Sequence, residues 1–473
     1  MPSRVSVNVP RILRESSQNG SQNIQNPMTT SKNTYSARIK SLRSKEQLSQ
    51  QALADLVCVS LSTLSRWEKG TTVPNGEKAK ILERWLNSGI RSWKSSAPKA
   101  AEKIHAGAPV IGLFAGCGGL DLGFHKEGFN VVWANEFNET AADTYERNFP
   151  GTIVDRRSIS DVDPYSDTDI PDADLVLGGF PCQDFSIIWK RPGLDGERGN
   201  LYKDFLRVVD AKKPKAFIAE NVKGLISANQ KKALKQIVHD FALIEPGYLV
   251  HVKLFNFADY GVPQFRERVI ITGIRIDTGF DYSFPKPTHG PKADCPYFTA
   301  GEALEGVESV AANSEHMNIN ARTAELLKLI SEGGNFADIP KDHPLYVKGM
   351  ISHVYRRIHR GEPAKTIIAA GGGGTWGYHY PEPRALTNRE RARLQSFPDD
   401  FGFCGSFTEV RRQIGNAVPP QSAQRIAQSL KPLFSGKFVS VDLAEKAEQI
   451  NSVPIDVRIQ RDSADRQRKL DLK

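Results

Sequence analysis

The stretch DLVLGGFPCQDFS, Asp174 to Ser186, decides the fold. Its apolar run DLVLGGF has the length and continuity of a buried strand, and it ends at a Pro-Cys pair followed by polar residues. Cys182 therefore stands where a strand gives way to a loop. In open α/β sheets ligands are met at the carboxyl ends of the strands, so a thiol delivered there can meet a substrate. An isolated free cysteine is more often a small buried hydrophobe. Its companions decide between the two.

Those companions lie on neighbouring strands. The run PVIGLF from Pro109 meets the loop AGCGG, and the helix-like LDLGFHKEG follows. Strand, glycine loop and helix form the entry to a doubly wound nucleotide-type site, although the spacing is not GxGxxG. The next strand, VVWANE, ends on Glu136, where an acidic side chain in such folds binds ribose hydroxyls. A further strand, KAFIAENV, ends on Glu220 and Asn221. Four strands thus bring Phe114, Glu136, Cys182 and Glu220 to one edge of a parallel sheet. A thiol beside a carboxyl group suggests a nucleophile paired with an acid or base, whereas a lone glutamate there is more often structural. The intervening IIWKRPGLDGERGNLY reads either as an active-site loop or as a surface connection.

The whole chain sets the frame. At 473 residues it exceeds one domain, and 25% charged with 39% hydrophobic residues is ordinary for a globular protein. A net charge of +9 and a pI near 9.1 fit a polyanionic partner such as nucleic acid. Five cysteines without CxxC spacing argue against a disulfide framework or a thiolate metal site, so no metal is expected and a reducing cytoplasm is. The N-terminus lacks the apolar core of a signal peptide, and no membrane partner is expected.

Residues 1–34 are rich in Ser, Asn and Gln and read as a disordered arm. From 35 to 89 apolar positions recur at helical spacing, among them Ile39, Leu42, Leu53, Leu64 and Trp67. Ser49 can cap one helix, VCVS makes a turn, and a second helix begins near Leu61 and stops at Gly70. This stretch, LSQQALADLVCVSLSTLSRWEKGTTVP, resembles the helix-turn-helix of the Cro/repressor family. The resemblance implies that the second helix enters the major groove and presents Ser62, Thr63, Ser65 and Arg66 to DNA. A helical docking module is the alternative. Residues 90–108 form a linker rich in Ser, Pro, Ala and Lys.

Residues 109 to about 432 resemble the DNA cytosine-5 methyltransferases of bacterial restriction-modification systems. The resemblance rests on FAGCGG, GFPCQDFS, ENV, QFRER (Gln264 to Arg268), LTNRERARLQSFPDDF and QIGNAVPP (Gln413 to Pro420), in the family's order. It implies a Rossmann-like S-adenosylmethionine-dependent methyltransferase domain with a smaller target-recognition domain, preceded by the all-α helix-turn-helix domain. It assigns 109–275 and 384–435 to the catalytic domain, 276–383 to target recognition and 436–473 to a charged tail carrying at best a short helix at DLAEKAEQI. Cys182 is then the nucleophile that adds to C6 of cytosine, and Glu220 holds or protonates N3. Arg266 and Arg268 sit by the same pocket, with Arg266 the better candidate to touch the base. S-adenosylmethionine lies against Phe114, Gly116, Gly118, Glu136, Ser158, Leu201, Asn416 and Val418. Gly112 and Ser158 stand where the family usually has Asp, which leaves the adenine contact open between Ser158, Asp155 and Asp161. Gln183, Ser186 and Arg198 belong to the loop closing on a flipped-out cytosine, with Ser186 and Arg198 on phosphate.

Within the target-recognition interval the informative piece is YRRIHRGEPAKTIIAAGGGGTWGYHY, whose basic groups, aromatics and four glycines suit close approach to DNA; Gly373 and Trp376 are its candidates. A plain loop is the alternative there. The partners expected are double-stranded target DNA and an operator, the catalytic form being a monomer with dimerisation on the operator left open. Two further readings compete: a regulator with a vestigial methylase, and an RNA cytosine-5 methyltransferase.

Overall fold

The computed structural model describes residues 32–45, 48–50, 53, 61–74, 107–181, 201–346, 348, 354–369, 377–452 and 455–461. Cys182, Gln183, Ser186, Arg198, Gly373 and Trp376 lie outside these residues. The chain divides into two compact units, one holding Met1–Asn75 with Leu82–Gly89 and the other Gly76–Ile81 with Ile90–Lys473.

In the first unit, α1 (Lys32–Lys45) and α2 (Leu61–Glu68) bury Ile39, Leu42, Leu64 and Trp67 together with Leu53. The first helix starts before residue 35, where the sequence reading put the boundary. Glu68 is buried at the end of α2, and Arg43 Nε donates to its carboxylate at 2.7 Å. Burial pushes Glu68 up, but the bonds from Arg43 and Gln50 outweigh it and hold the group below its ordinary value. Arg66 is exposed and donates to the Thr63 hydroxyl at 3.2 Å. Ser65 is half-buried on the same helix, which also includes Ser62.

The second unit is built on a sheet whose described strands are β1 (Pro109–Leu113), β2 (Asn130–Asn135), β3 (Ile153–Asp155), β4 (Leu175–Gly178), β5 (Ala216–Val222), β6 (Tyr248–Asn256), β8 (Glu267–Arg275) and β10 (Gln460–Arg461). Their order is β10-β6-β8-β5-β4-β1-β2-β3. The first five are parallel in register, with Leu113 level with Asn135 and Gly178, and Gly178 level with Ala219. Strands covered on both faces read as continuous apolar runs. Accordingly, Ile111, Leu113 and Val176 join one core cluster while Val110, Leu175 and Leu177 join the other.

Helices α5 (Leu201–Lys212) and α6 (Lys232–Ala242) cover the first face through Phe205, Val208, Ile237 and Phe241. Helices α3 (Gly119–Lys126) and α9 (Pro420–Ser435) cover the second. They meet so closely that a Cβ on Gly123 would lie 2.4 Å from that of Ala423. Residues late in the chain are thereby fixed beside its first strand.

Two features depart from the sequence reading. The sheet is not wholly parallel, because β8 runs antiparallel between β5 and β6. After Gly436, α10 (Leu443–Ser452) covers the helix read at DLAEKAEQI and buries Leu443, whereas Gln460–Arg461 extends the sheet beside β6 where only a tail was expected. A few apolar residues at wide intervals, Leu443, Ile450, Ile455 and Ile459, suffice to dock it because the sheet supplies the rest of the surface.

Candidate active site and cofactor cleft

The chain leaves β1 outward to β2 and β3, then returns to β4 on the other side of β1. That reversal opens a crevice at the carboxyl ends of β1 and β4, where open sheets bind ligands. The loop Phe114–Gly118 lines it, with Phe114, Gly116 and Gly118 at φ 52, 57 and 87°. A Cβ on Gly116 would meet nothing within 4 Å, whereas one on Gly118 would strike the Phe149 ring at 2.4 Å. The first glycine faces open space and the second permits close packing.

Glu136, at the end of β2, fixes this loop. One carboxylate oxygen accepts from Gly116 N and the other from Asn138 N, both at 2.8 Å. Burial nevertheless outweighs these bonds and raises its pKa. Phe137, the next residue, is 71% exposed. An aromatic left open beside a buried strand-end carboxylate is a candidate stacking surface. Sequence reasoning missed it, although an aromatic directly after the acidic strand end was available as a signal.

Val418 also reaches the start of α3, since its carbonyl would be 2.4 Å from a Cβ on Gly119. Asn416 is exposed at the end of α8 (Phe407–Asn416), and Leu201 opens α5 half-buried. Ser158 is exposed and caps the short turn Ile159–Asp161 without a side-chain bond. The alternative Asp155 is committed to Arg157, which it meets at 2.5 Å and whose backbone N–H it also accepts. Asp161 is exposed.

A second cluster forms where β4, β5 and β8 end. Gly179 follows β4, and a Cβ there would lie 3.0 Å from Glu220 Oε2. Asn221 donates to the Phe180 carbonyl at 2.8 Å, so the ENV triplet ties down the chain that runs into Cys182. Arg268 Nε meets Glu220 Oε1 at 2.9 Å, with 15% and 12% of the two side chains exposed. Burial raises the Glu220 pKa despite the attraction of Arg268 and Arg266. A raised pKa favours the protonated carboxyl, which can donate as well as accept a hydrogen bond.

Arg266 corrects the sequence reading. It is fully buried and donates to the carbonyls of Ile367, Gly415 and Ala417 at 2.9, 2.8 and 3.2 Å. Burial and the Arg268 charge push its pKa down to about 9. It sits at the break between β7 (Gln264–Phe265), which pairs with β9 (Ala364–Lys365), and β8, so strand alternation does not place it. Arg268, not Arg266, meets Glu220. Gln264, which the sequence did not single out, is fully buried: it accepts from Ile367 N at 2.8 Å and donates to Leu394 O and Gln395 Oε1.

The region between β8 and α7 (Asn388–Leu394) has short elements around a small core of Leu326, Leu327, Ile330, Phe336 and Tyr378. A small cleft opens there, lined by Arg356, His359, Glu362, Lys365 and Thr366 among others. No cluster of potential metal ligands occurs among the described residues. Among them, no helix is long and apolar enough to cross a membrane.

A doubly wound sheet with a glycine loop, an acidic second strand end and a Glu–Arg pair beside Gly179–Phe180 defines an α/β fold of the methyltransferase type. Residues 109–432 match the C-5 cytosine-specific DNA methylase family, and residues 39–92 match a helix-turn-helix family. The chain is 62% identical over 340 residues to the type II methyltransferase M.NgoFVII of Neisseria gonorrhoeae, covering 71% of this chain and 90% of that protein. It is 41% identical over 344 residues to the type II methyltransferase M.BbvI of Brevibacillus brevis, covering 68% and 90%. A solved structure described as a candidate DNA modification methyltransferase of an E. coli prophage shares the fold at TM-score 0.54 and 24% identity, covering 69% of this chain and 99% of its own. The chain belongs to the C-5 cytosine-specific DNA methylases and is a DNA (cytosine-5-)-methyltransferase with an N-terminal helix-turn-helix segment.

Proposed function

We propose that this enzyme methylates C5 of a cytosine flipped out of a specific duplex site and so protects host DNA from a partner endonuclease. The observation that carries the chemistry is the buried Glu220–Arg268 pair beside Gly179, three residues before Cys182. Cytosine C5 is a poor nucleophile. The Cys182 thiolate adds to C6, the ring electrons shift toward N3, and protonated Glu220 receives them through a hydrogen bond at N3. Arg268 keeps Glu220 oriented, and burial raises the Glu220 pKa, which favours the protonated carboxyl that N3 requires. Since C6 is shielded in a stacked duplex, the base is flipped, and the loop holding Gln183, Ser186 and Arg198 closes on the vacated strand.

S-adenosylmethionine supplies the methyl group when bound. The cleft suits it: there is open space over Gly116, Glu136 retains acceptor capacity for ribose hydroxyls, and Phe137 offers an exposed face for adenine. For the adenine contact Ser158 and Asp161 remain, both exposed, because Asp155 is occupied by Arg157. Leu201, Asn416 and Val418 complete the set. The segment 276–383 reads the target, with Gly373 and Trp376 against the backbone. The N-terminal helix-turn-helix binds an operator through Ser62, Thr63, Ser65 and Arg66.

The test is transfer of labelled methyl groups from S-adenosylmethionine to unmethylated DNA, followed by bisulfite sequencing. The reading requires 5-methylcytosine at one recurrent duplex site. Methylation of tRNA in preference to DNA, or operator binding without any methyl transfer, would overturn it.

A further inference from the structure

Arg391 and Arg411 stand apart from the site described above. Arg391 lies on α7 and is 4% exposed; Arg411 lies on α8 and is half-buried. The Nε atoms of both are buried without a hydrogen-bond partner. Neither guanidinium is in an ion pair among the described residues. The carboxylate adjacent to Arg391 in sequence, Glu390, is occupied: Arg384 holds it at 2.7 Å, and it closes the capping box with Thr387. Burial, followed by the charge of Arg411, pushes Arg391 down to about 10.

Two desolvated like charges without a counter-ion are costly, and an anion is what would relieve them. Gly377, at φ 92°, lies directly on the Arg391 guanidinium, where a Cβ would come within 2.8 Å of Nη1. On α8, Gly415 sits against the backbone of Ala369, where its Cβ would be 2.2 Å from the amide nitrogen. Ala369 and Gly377, which flank the sequence from 370 to 376, thus rest on the helices that carry the arginines. That sequence, AGGGGTW, contains no carboxylate to neutralise them.

We propose that Arg391 and Arg411 together hold one phosphodiester of the DNA. This rests on the enzyme acting on DNA and adds a backbone contact that fixes where the target strand lies. Two guanidiniums converging on a single phosphate form charge-assisted hydrogen bonds that position the backbone without reading sequence.

The full-length protein tests this through the salt dependence of kcat/KM for DNA, measured with wild type, Arg391→Met, Arg411→Gln and the double variant. Losing one phosphate contact should make the slope of log kcat/KM against log salt less negative by about 0.9. The KM for DNA should rise about tenfold at physiological salt, with kcat and the KM for S-adenosylmethionine unchanged. Because the two arginines share one phosphate, the double variant should lose no more slope than either single one. An unchanged slope in a folded Arg411→Gln protein would overturn the proposal, and that variant decides alone if Arg391→Met does not fold. Thermal stabilisation of wild type by inorganic phosphate, lost in both variants while the slope stays fixed, would make the pair a free-anion site and equally overturn it. If wild type transfers no methyl group to DNA, the underlying reading fails instead, and the salt slope of equilibrium DNA binding then judges the arginines.

Discussion

Replacing Arg268 with Met leaves Glu220 buried beside an apolar side chain. The two groups meet at 2.9 Å, a distance at which unit charges attract by about 6 kcal/mol at an effective dielectric of about 20. Breaking a buried pair by removing one partner typically costs about 3–5 kcal/mol, and the residual exposure of both side chains points to the low end, about 3 kcal/mol. For a unit of this size that is roughly 4 °C of melting temperature. The sign with pH follows from Glu220. Burial already raises its pKa, and loss of Arg268 raises it further. Below that pKa the carboxyl takes a proton and the penalty fades, so Arg268→Met should be far more destabilised at pH 8 than at pH 5.5. Adding Glu220→Gln removes the stranded charge and should restore most of the loss at pH 8. Thermal unfolding of the four proteins at both pH values is the assay. A destabilisation independent of pH, or a double variant no better than Arg268→Met, would refute the pairing and return Arg266 to consideration.

Three other perturbations have defined outcomes. Asp121 is buried below Gly112, its Oδ2 has no hydrogen-bond partner, and burial raises its pKa to about 7 with little relief from the nearby Tyr145 hydroxyl. Ionisation therefore costs stability progressively from about pH 4 to pH 7, by about 4 kcal/mol at most, so Asp121→Asn should gain on wild type across that window and stay level above it; parallel pH curves would contradict this. Glu136→Ala removes the loop anchor and the ribose acceptor and should weaken S-adenosylmethionine binding about 10- to 100-fold by calorimetry, an unchanged affinity arguing for a purely structural carboxylate. Gln264→Leu leaves Ile367 N and Gln395 Oε1 without their Gln264 partner in the buried interior and should lower the melting temperature by several degrees, which a neutral result would exclude.

Much of this site was legible because its residues sit at strand ends. Apolar runs mark β1, β2, β4 and β5 directly, and their register brings Phe114, Glu136 and Glu220 to one edge. What stayed hidden depends on where separate segments meet. Gln264 and Arg266 satisfy carbonyls about 100 to 150 residues away, and no local pattern announces such partners. The antiparallel insertion of β8 was equally invisible, since a strand buried on both faces reads alike in either direction. The C-terminal addition to the sheet is short and charged, with its docking surface supplied by β6.

The central claim is that Cys182 attacks C6, and trapping the adduct tests it most directly. In duplex DNA substituted with 5-fluorocytosine, the methylated adduct has no C5 proton to lose and cannot eliminate the thiol. Incubation with S-adenosylmethionine should give a denaturation-resistant protein–DNA complex with wild type and none with Cys182→Ala. A trapped complex with the alanine variant, or continued methyl transfer by it, would contradict the account.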